Sequence, residues 1–446
     1  MLMKDIFDDS KKTYTSENLV KVRSSELQIG MFVAELDRPW LETPFLVQGF
    51  EIRHRSQVAT IGQYCDHVFV LREGVPRKIF KPDQSRSWTP PRRENTGTLI
   101  NQGAGKKTSK SGRRSIVRSR PAYDVNKPIR EEHPVARRAY GKGKLAVQKL
   151  LRSAQIGQML DTAVAEEVVA TCVDSIVRNP DAMIWMSKIK HEHEYTAEHC
   201  LNVCILAIAF GRYLNFEEHE LQRLGLCGLL HDVGKMRVPA AILDKVETLT
   251  SEELRILQDH TVAGHKLLVE IGHAPPLAAD VALNHHERPD GGGYPRQLAA
   301  DEVSEYARII SVVDAYDAMT SDRCYSRAKS PVEAQKILYE NRGTQFDEEC
   351  ALQFMQAIGP YPPGTWVELR NGMVGVVLAG RRKFRHLPRV ILVLNKEKQQ
   401  ISRKTLDLTL IDDGGLDKSF LIKKALKDGT HGLRLEDLRP EVEAAS

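Results

Sequence analysis

The chain has no C-x-x-C pair among its seven scattered cysteines (Cys65, Cys172, Cys200, Cys204, Cys227, Cys324 and Cys350). That argues against a disulfide framework and for a reducing compartment, with the thiols acting as small core hydrophobes. No apolar run approaches the roughly 20 residues a bilayer span needs. The longest, Val203 to Phe210, falls far short. The opening residues carry Asp5, Asp8 and Asp9 and no apolar stretch, so no signal peptide is read there. A soluble, cytoplasmic protein without a transmembrane segment is expected. Charge excess is small too: the formal net charge is +5 over 446 residues, too little to argue for a nucleic-acid partner. What is present is a 41% hydrophobic content and a length beyond one core, which predict several domains.

The composition divides the chain into four stretches. Residues 15–80 read as a small α+β or β module, with strand candidates in Leu27–Leu36 and Val68–Leu71 and a turn at Asp37-Arg38-Pro39-Trp40. Trp40, Phe45 and Phe50 read as core or interface aromatics. Residues 81–143 are rich in Ser, Thr, Pro, Gly and Arg, and Lys106, Lys107, Lys110, Arg113 and Arg114 cluster there without hydrophobic period, as in a basic flexible linker. From 144 to 358 apolar residues recur at threes and fours, which predicts an all-α domain. Beyond it, 359–446 reads as a small β module and tail, with a hairpin turning at Asn371-Gly372 and a further strand at Arg389–Leu394.

The chemistry gathers in the helical stretch. His231-Asp232-Val233-Gly234-Lys235 closes a Leu-rich helix, with Gly234 expected as its C-cap. His199 lies near the start of an apolar helix, Tyr195–Tyr213. A capping box, Thr250 to Glu253, opens a helix expected to carry His260 and to end near Ile271. His285-His286-Glu287 precedes the glycine-rich loop from Arg288 to Pro295, whose backbone can approach a ligand closely. Asp314 and Asp317 share one face of a helix predicted over Glu302–Thr320. Taken singly, each residue has a packing explanation. Together they form a nitrogen and oxygen donor set, rich enough for two ions, that suits iron, manganese, zinc or cobalt better than calcium or magnesium.

Residues from about 145 to 360 resemble an HD-GYP domain, the subgroup of HD metal-dependent phosphohydrolases. The residues that carry the resemblance are His231-Asp232-Val233-Gly234-Lys235, His285-His286-Glu287, Asp290-Gly291, Gly293-Tyr294-Pro295 and Val313-Asp314-Ala315-Tyr316-Asp317-Ala318-Met319-Thr320. The stretch from Gly30 to Leu46 resembles a domain of unknown function that often precedes this one. The resemblance implies hydrolysis of cyclic di-GMP to linear pGpG, and on to GMP. Two divalent ions, iron or manganese, would be held by His199, His231, Asp232, His260, His285, His286 and Asp314, with Asp232 bridging. Asp232 and Lys235 would be the catalytic pair. Lys235, Gly293, Tyr294, Pro295, Asp317 and Arg323 would meet substrate. The Gly-Tyr-Pro loop would also offer a surface to diguanylate cyclases or other signalling proteins, and the oligomeric state stays open, a homodimer being one option.

Two departures bear on this reading. The glutamate that serves a third metal in some members is replaced by Tyr195, with Glu194 one residue off, so two ions are expected. The family's Arg-Pro-Tyr-Lys reads Arg323-Cys324-Tyr325-Ser326, which removes a lysine near the phosphate. The rival readings are a catalytically weak scaffold that binds partner proteins or nucleotide, and a phosphohydrolase of another cyclic dinucleotide or nucleotide. The expected architecture is a mainly all-α HD-type core flanked by an N-terminal α+β/β module and a C-terminal β module of SH3-like type.

Overall fold

The computed structural model describes residues 19–37, 50–52, 55–71, 116–118, 123–158, 160–189, 195–245, 247–270, 274–322, 328–381 and 384–438. Trp40, Phe45, the basic cluster from Lys106 to Arg114, Glu194, the stretch from Arg323 to Ser326 and the residues beyond 438 lie outside them. The chain divides into two units, Met1–Arg114 and Ser115–Ser446.

In the first unit, β1 (Leu19–Arg23), β2 (Phe32–Leu36), β3 (Phe50–Glu51), α1 (Arg55–Tyr64) and β4 (His67–Leu71) form an antiparallel sheet, ordered β1-β4-β2-β3, with one helix. Alternation places Val22, Val33, Val68 and Val70 on its buried face, where Met31, Ile52 and Ile61 complete a small core. The expected strand over Leu27–Leu36 shortens to β2, because Gly30 takes a positive φ of 94° and turns the chain just before it.

The second unit is mainly helical. It opens with α2 (Ile129–Gln155), α3 (Thr162–Arg178), α4 (Pro180–Met186), α5 (Tyr195–Tyr213) and α6 (Glu218–Leu230). After α6 come α7 (Ala240–Leu243), α8 (Ser251–Gln258), α9 (His260–Glu270), α10 (Pro276–Asn284), α11 (Glu305–Thr320), α12 (Pro331–Glu340) and α13 (Glu348–Ile358). The expected linker over 81–143 is therefore corrected at its C-terminal end, where residues 129–143 are helical. Gly143 lets α2 cross its neighbours closely: a Cβ there would stand 3.3 Å from Val168 and 3.5 Å from Leu201. The helix expected from Thr250 to Ile271 is two, α8 and α9, broken at Asp259. The helix predicted over Glu302–Thr320 starts at Glu305, where the Ser304 side chain accepts from Ala307 N.

Strands β5 (Trp366–Leu369), β6 (Val374–Ala379), β7 (Arg389–Leu394), β8 (Gln400–Asp407) and β9 (Ile422–Leu426) form an antiparallel sheet ordered β8-β7-β6-β5-β9. The Asn371-Gly372 turn joins β5 to β6, with Gly372 at φ 84°. Trp366, Val376, Ile391 and Val393 join the same apolar cluster as the helices, so this sheet packs on the bundle. Its other face encloses a separate core around Val367, Val377, Val390 and Leu408.

Candidate metal centre

Helix ends build the site. The last carbonyls of an α-helix have no partner within the helix and accept whatever donor follows. His231, just past α6, places Nδ1 2.8 Å from Gly228 O. His260, opening α9, places Nδ1 2.7 Å from Leu257 O of α8. His285, at the end of α10, places Nδ1 3.1 Å from both Val281 O and Ala282 O. A ring that donates from Nδ1 to a carbonyl keeps its lone pair on Nε2, the tautomer a metal ligand needs. His199 sits inside α5, where the helix uses its own carbonyls, and there Nδ1 meets the Asp317 carboxylate at 2.8 Å instead.

The Nε2 atoms converge on Asp232, which is fully buried. Its Oδ2 lies 3.2 Å from His231 Nε2 and 3.5 Å from His199 Nε2, while Oδ1 lies 3.3 Å from His260 Nε2 and 3.8 Å from His285 Nε2. Asp314, 9% exposed, sets Oδ1 3.0 Å from His199 Nε2. Two donor groups, His199, His231 and Asp314, and His260, His285 and His286, each keep their atoms within 4.8 Å of one another, and a third such group, His231, Asp232 and His285, joins them. Asp232 presents one oxygen to each of the first two. The Nε2 of His231 and the Oδ1 of Asp232 are buried and meet no hydrogen-bond partner among the described residues, as inward-facing metal ligands should. The donor set therefore fits divalent ions.

Electrostatics follows the same division. Burial works against charge on every group here. At Asp232 it is outweighed by His231 and Lys235, and at Asp314 by His199, so both carboxyls are held well below the usual range. Burial also opposes an imidazolium at His199, but Asp232, Asp314 and Asp317 surround that ring and raise it to about 10. At His285 and His286 burial and neighbouring imidazoles act together, so both stay neutral, His286 down to about 3. Carboxylates thus gather about His199, and His285 and His286 are held neutral.

The side that carries Lys235 is more open. Lys235, in the 3-10 helix Val233–Arg237, sets Nζ 2.5 Å from Asp232 Oδ2 with its side chain 20% exposed. Gly234 is not the expected C-cap. It lies within that 3-10 turn, and a Cβ on it would stand 1.9 Å from His260 O, so α9 can approach only glycine. Tyr294 stacks on His286 with centroids 4.8 Å apart. Gly293 sits against the His286 carbonyl and the Glu287 Cα, where a Cβ would come within 2.7 Å.

Of the residues expected to meet substrate, Lys235, Gly293 and Tyr294 gather beside the histidines and Asp232. Arg323 lies outside the described residues. Asp317 is corrected: 2% exposed, with its carboxylate against His199 Nδ1, it does not face the open side. Sequence reasoning gave Glu287 no task. It is 3% exposed, and its carboxylate accepts from Arg296 N at 2.6 Å and Leu298 N at 2.9 Å, which ties the Gly-Tyr-Pro loop back over the histidine pair. An acidic residue directly before a glycine-rich loop was the available signal.

A helical box that directs imidazoles from the ends of α6, α8 and α10 onto one buried aspartate defines a metal-dependent phosphohydrolase of the HD class. The HD domain family matches residues 179–350, and a domain of unknown function, DUF3391, matches residues 19–165. A cyclic di-GMP phosphodiesterase of Pseudomonas aeruginosa is 32% identical over 87% of this chain and 89% of its own length. A 3'3'-cGAMP-specific phosphodiesterase of Vibrio cholerae is 37% identical over 38% of this chain and 36% of its own. A cyclic di-GMP phosphodiesterase of Thermotoga maritima is 34% identical over 36% and 44%. The chain belongs to the HD-GYP family of metal-dependent phosphodiesterases. No helix among the described residues is long and apolar enough to cross a membrane.

Proposed function

We propose that this chain hydrolyses cyclic di-GMP to linear pGpG and onward to GMP, using two iron or manganese ions. The observation that carries the reading is Asp232, with one oxygen toward each of two donor groups. His199, His231 and Asp314 would hold one ion, and His260, His285 and His286 the other, with Asp232 shared. When bound, such a pair of cations supplies Lewis acidity, activating water at neutral pH and offsetting phosphodiester charge. The chain's own residues do the rest. Lys235 carries a positive charge at the open edge and can move from Asp232 to a phosphoryl oxygen, offsetting the charge that develops there. Gly293 clears the approach of the substrate backbone, and Tyr294 stacks on His286 and walls that side. Asp317 holds the His199 ring in register.

Cyclic di-GMP turnover should depend on added Fe(II) or Mn(II) and vanish in Asp232→Ala. If the protein binds metal fully and leaves cyclic di-GMP intact, the reading fails and a partner-binding scaffold takes its place. The Vibrio cholerae relative favours a second substrate, 3'3'-cGAMP, and competition between the two dinucleotides decides between them. We also read the C-terminal sheet as SH3-like, on its strand order and the 3-10 turn Leu408–Ile411 ahead of β9. In this reading the protein is cytoplasmic, and its Gly-Tyr-Pro loop meets diguanylate cyclases or other signalling proteins.

A further inference from the structure

Away from the metal centre, a cavity of about 230 Å³ opens where α4, α5 and α13 meet the connection between β6 and β7. The α5 residues that line it run from Leu206 to Tyr213, which at 1.5 Å of rise per residue lie about 10 to 20 Å beyond His199. Its walls include the rings of Tyr123, Phe210 and Phe354. Four charged residues line it: Asp124, whose backbone carbonyl holds Arg212, and Asp181, Arg212 and Arg385.

The last three are placed by specific packing. Asp181 is 7% exposed and accepts from Gly380 N at 3.1 Å. The Arg212 guanidinium donates to Asp124 O at 2.9 Å and Val177 O at 3.3 Å, and lies 5.4 Å from the Tyr123 ring centroid. Arg385 enters from the β module through a gap left by two glycines. A Cβ on Gly359 would stand 3.0 Å from its side chain, and one on Gly380 2.9 Å from its guanidinium nitrogen. Bringing a carboxylate and two guanidinium groups into one largely apolar cleft has a desolvation cost that an apolar lining would avoid.

The cavity's contents specify an occupant. Its volume suits one planar ring system and excludes a cyclic dinucleotide, since pockets for drug-sized ligands start at about 300 Å³. The aromatic walls favour a flat ring. Arginine donates to guanine O6 and N7, and a carboxylate accepts from the N1–H and N2–H of the same base. Adenine offers a carboxylate no such pair of donors. We propose that this cavity between α4, α5, α13 and the β6–β7 connection binds the guanine base of a guanosine mononucleotide, with Asp181 and Arg385 reading its edge.

The claim concerns binding and stands apart from the catalytic reading, so the test uses the full chain carrying Asp232→Ala in chelator, which silences the metal centre. Titration calorimetry with GMP should show one site, with AMP at least tenfold weaker. Asp181→Asn, which keeps an acceptor but removes the carboxylate, should weaken GMP at least tenfold while the protein stays folded. Ala209→Phe, which fills the cavity, should abolish binding. No GMP binding at millimolar concentration, equal affinity for AMP, or GMP affinity unchanged by both substitutions would each overturn the proposal.

Discussion

The carboxylate of Asp317 stands 2.8 Å from Nδ1 of His199, while Asp314 stands 3.0 Å from Nε2 of the same ring. The two aspartates are one turn apart on α11, so a single helix grips both nitrogens of a ring that α5 supplies. The other three histidines bonded through Nδ1 find backbone carbonyls at helix ends, which no substitution can remove. His199 alone among these four depends on a side chain for its tautomer.

Asp317→Ala is therefore expected to lower metal affinity about 10 to 100-fold, the usual cost of losing such a partner. Asp317→Asn keeps an acceptor and should lose less. Metal content after dialysis against graded chelator measures both. Equal occupancy in Asp317→Ala and the parent protein would show that the ring is oriented by something else.

Gly234→Ala tests how tightly α9 is set against the 3-10 turn. The added Cβ would meet His260 O at 1.9 Å and Gly264 N at 2.4 Å, both backbone atoms that cannot rotate away. Overpacking commonly costs about 1 to 3 kcal/mol, and a clash with backbone belongs at or above the upper end. His260 should be displaced with it. Urea unfolding should show the stability loss, and metal analysis a loss from the His260, His285 and His286 group. A variant of parental stability would refute the close approach.

The donor set was legible in the sequence because each ligand sits in a strongly periodic apolar segment. His231 follows a Leu-rich run, and Asp314 lies amid Ile309, Ile310, Val312 and Val313. What the sequence could not show is which atom of a histidine faces inward, since that depends on carbonyls such as Gly228 O and Leu257 O, which carry no residue identity. Gly234 misled in the same way. It was read through backbone freedom, as a cap, yet it serves the close approach of α9, which depends on partners distant in the chain. Asp317 was placed correctly on the face of Asp314, but that face meets His199 and not substrate.

Glu287→Gln should separate substrate handling from metal binding. The carboxylate accepts from two backbone N–H groups beyond the Gly-Tyr-Pro loop, at 2.6 and 2.9 Å. Hydrogen bonds to a charged acceptor contribute about 1.5 to 3 kcal/mol, and the amide, which has one acceptor oxygen, can keep only one of them. The loop that carries Gly293 and Tyr294 should loosen, raising KM about tenfold with metal content unchanged. A fall in kcat with KM constant, or a loss of metal, would mean that Glu287 acts on the ligands and not on the loop.

Asp181 predicts a dependence of stability on pH. Burial raises its carboxyl from 3.8 to about 6, with Arg385 and the Gly380 N–H opposing that rise in part. The folded protein therefore holds this proton more tightly than the unfolded chain does. Its contribution to stability is fully present below pH 3.8 and is lost as pH rises through 6. A shift of that size corresponds to roughly 3 kcal/mol, a ceiling for the gain from removing the charge. Asp181→Asn should leave stability nearly unchanged relative to the parent at pH 4 and raise it by about 1 to 3 kcal/mol at pH 7.5. Comparing the two proteins at each pH cancels the titration of the remaining groups. A difference that does not change between pH 4 and 7.5 would mean that Asp181 is charged in the folded protein throughout. Arg385 would then outweigh burial, and Asp181→Asn would lower stability at both pH values.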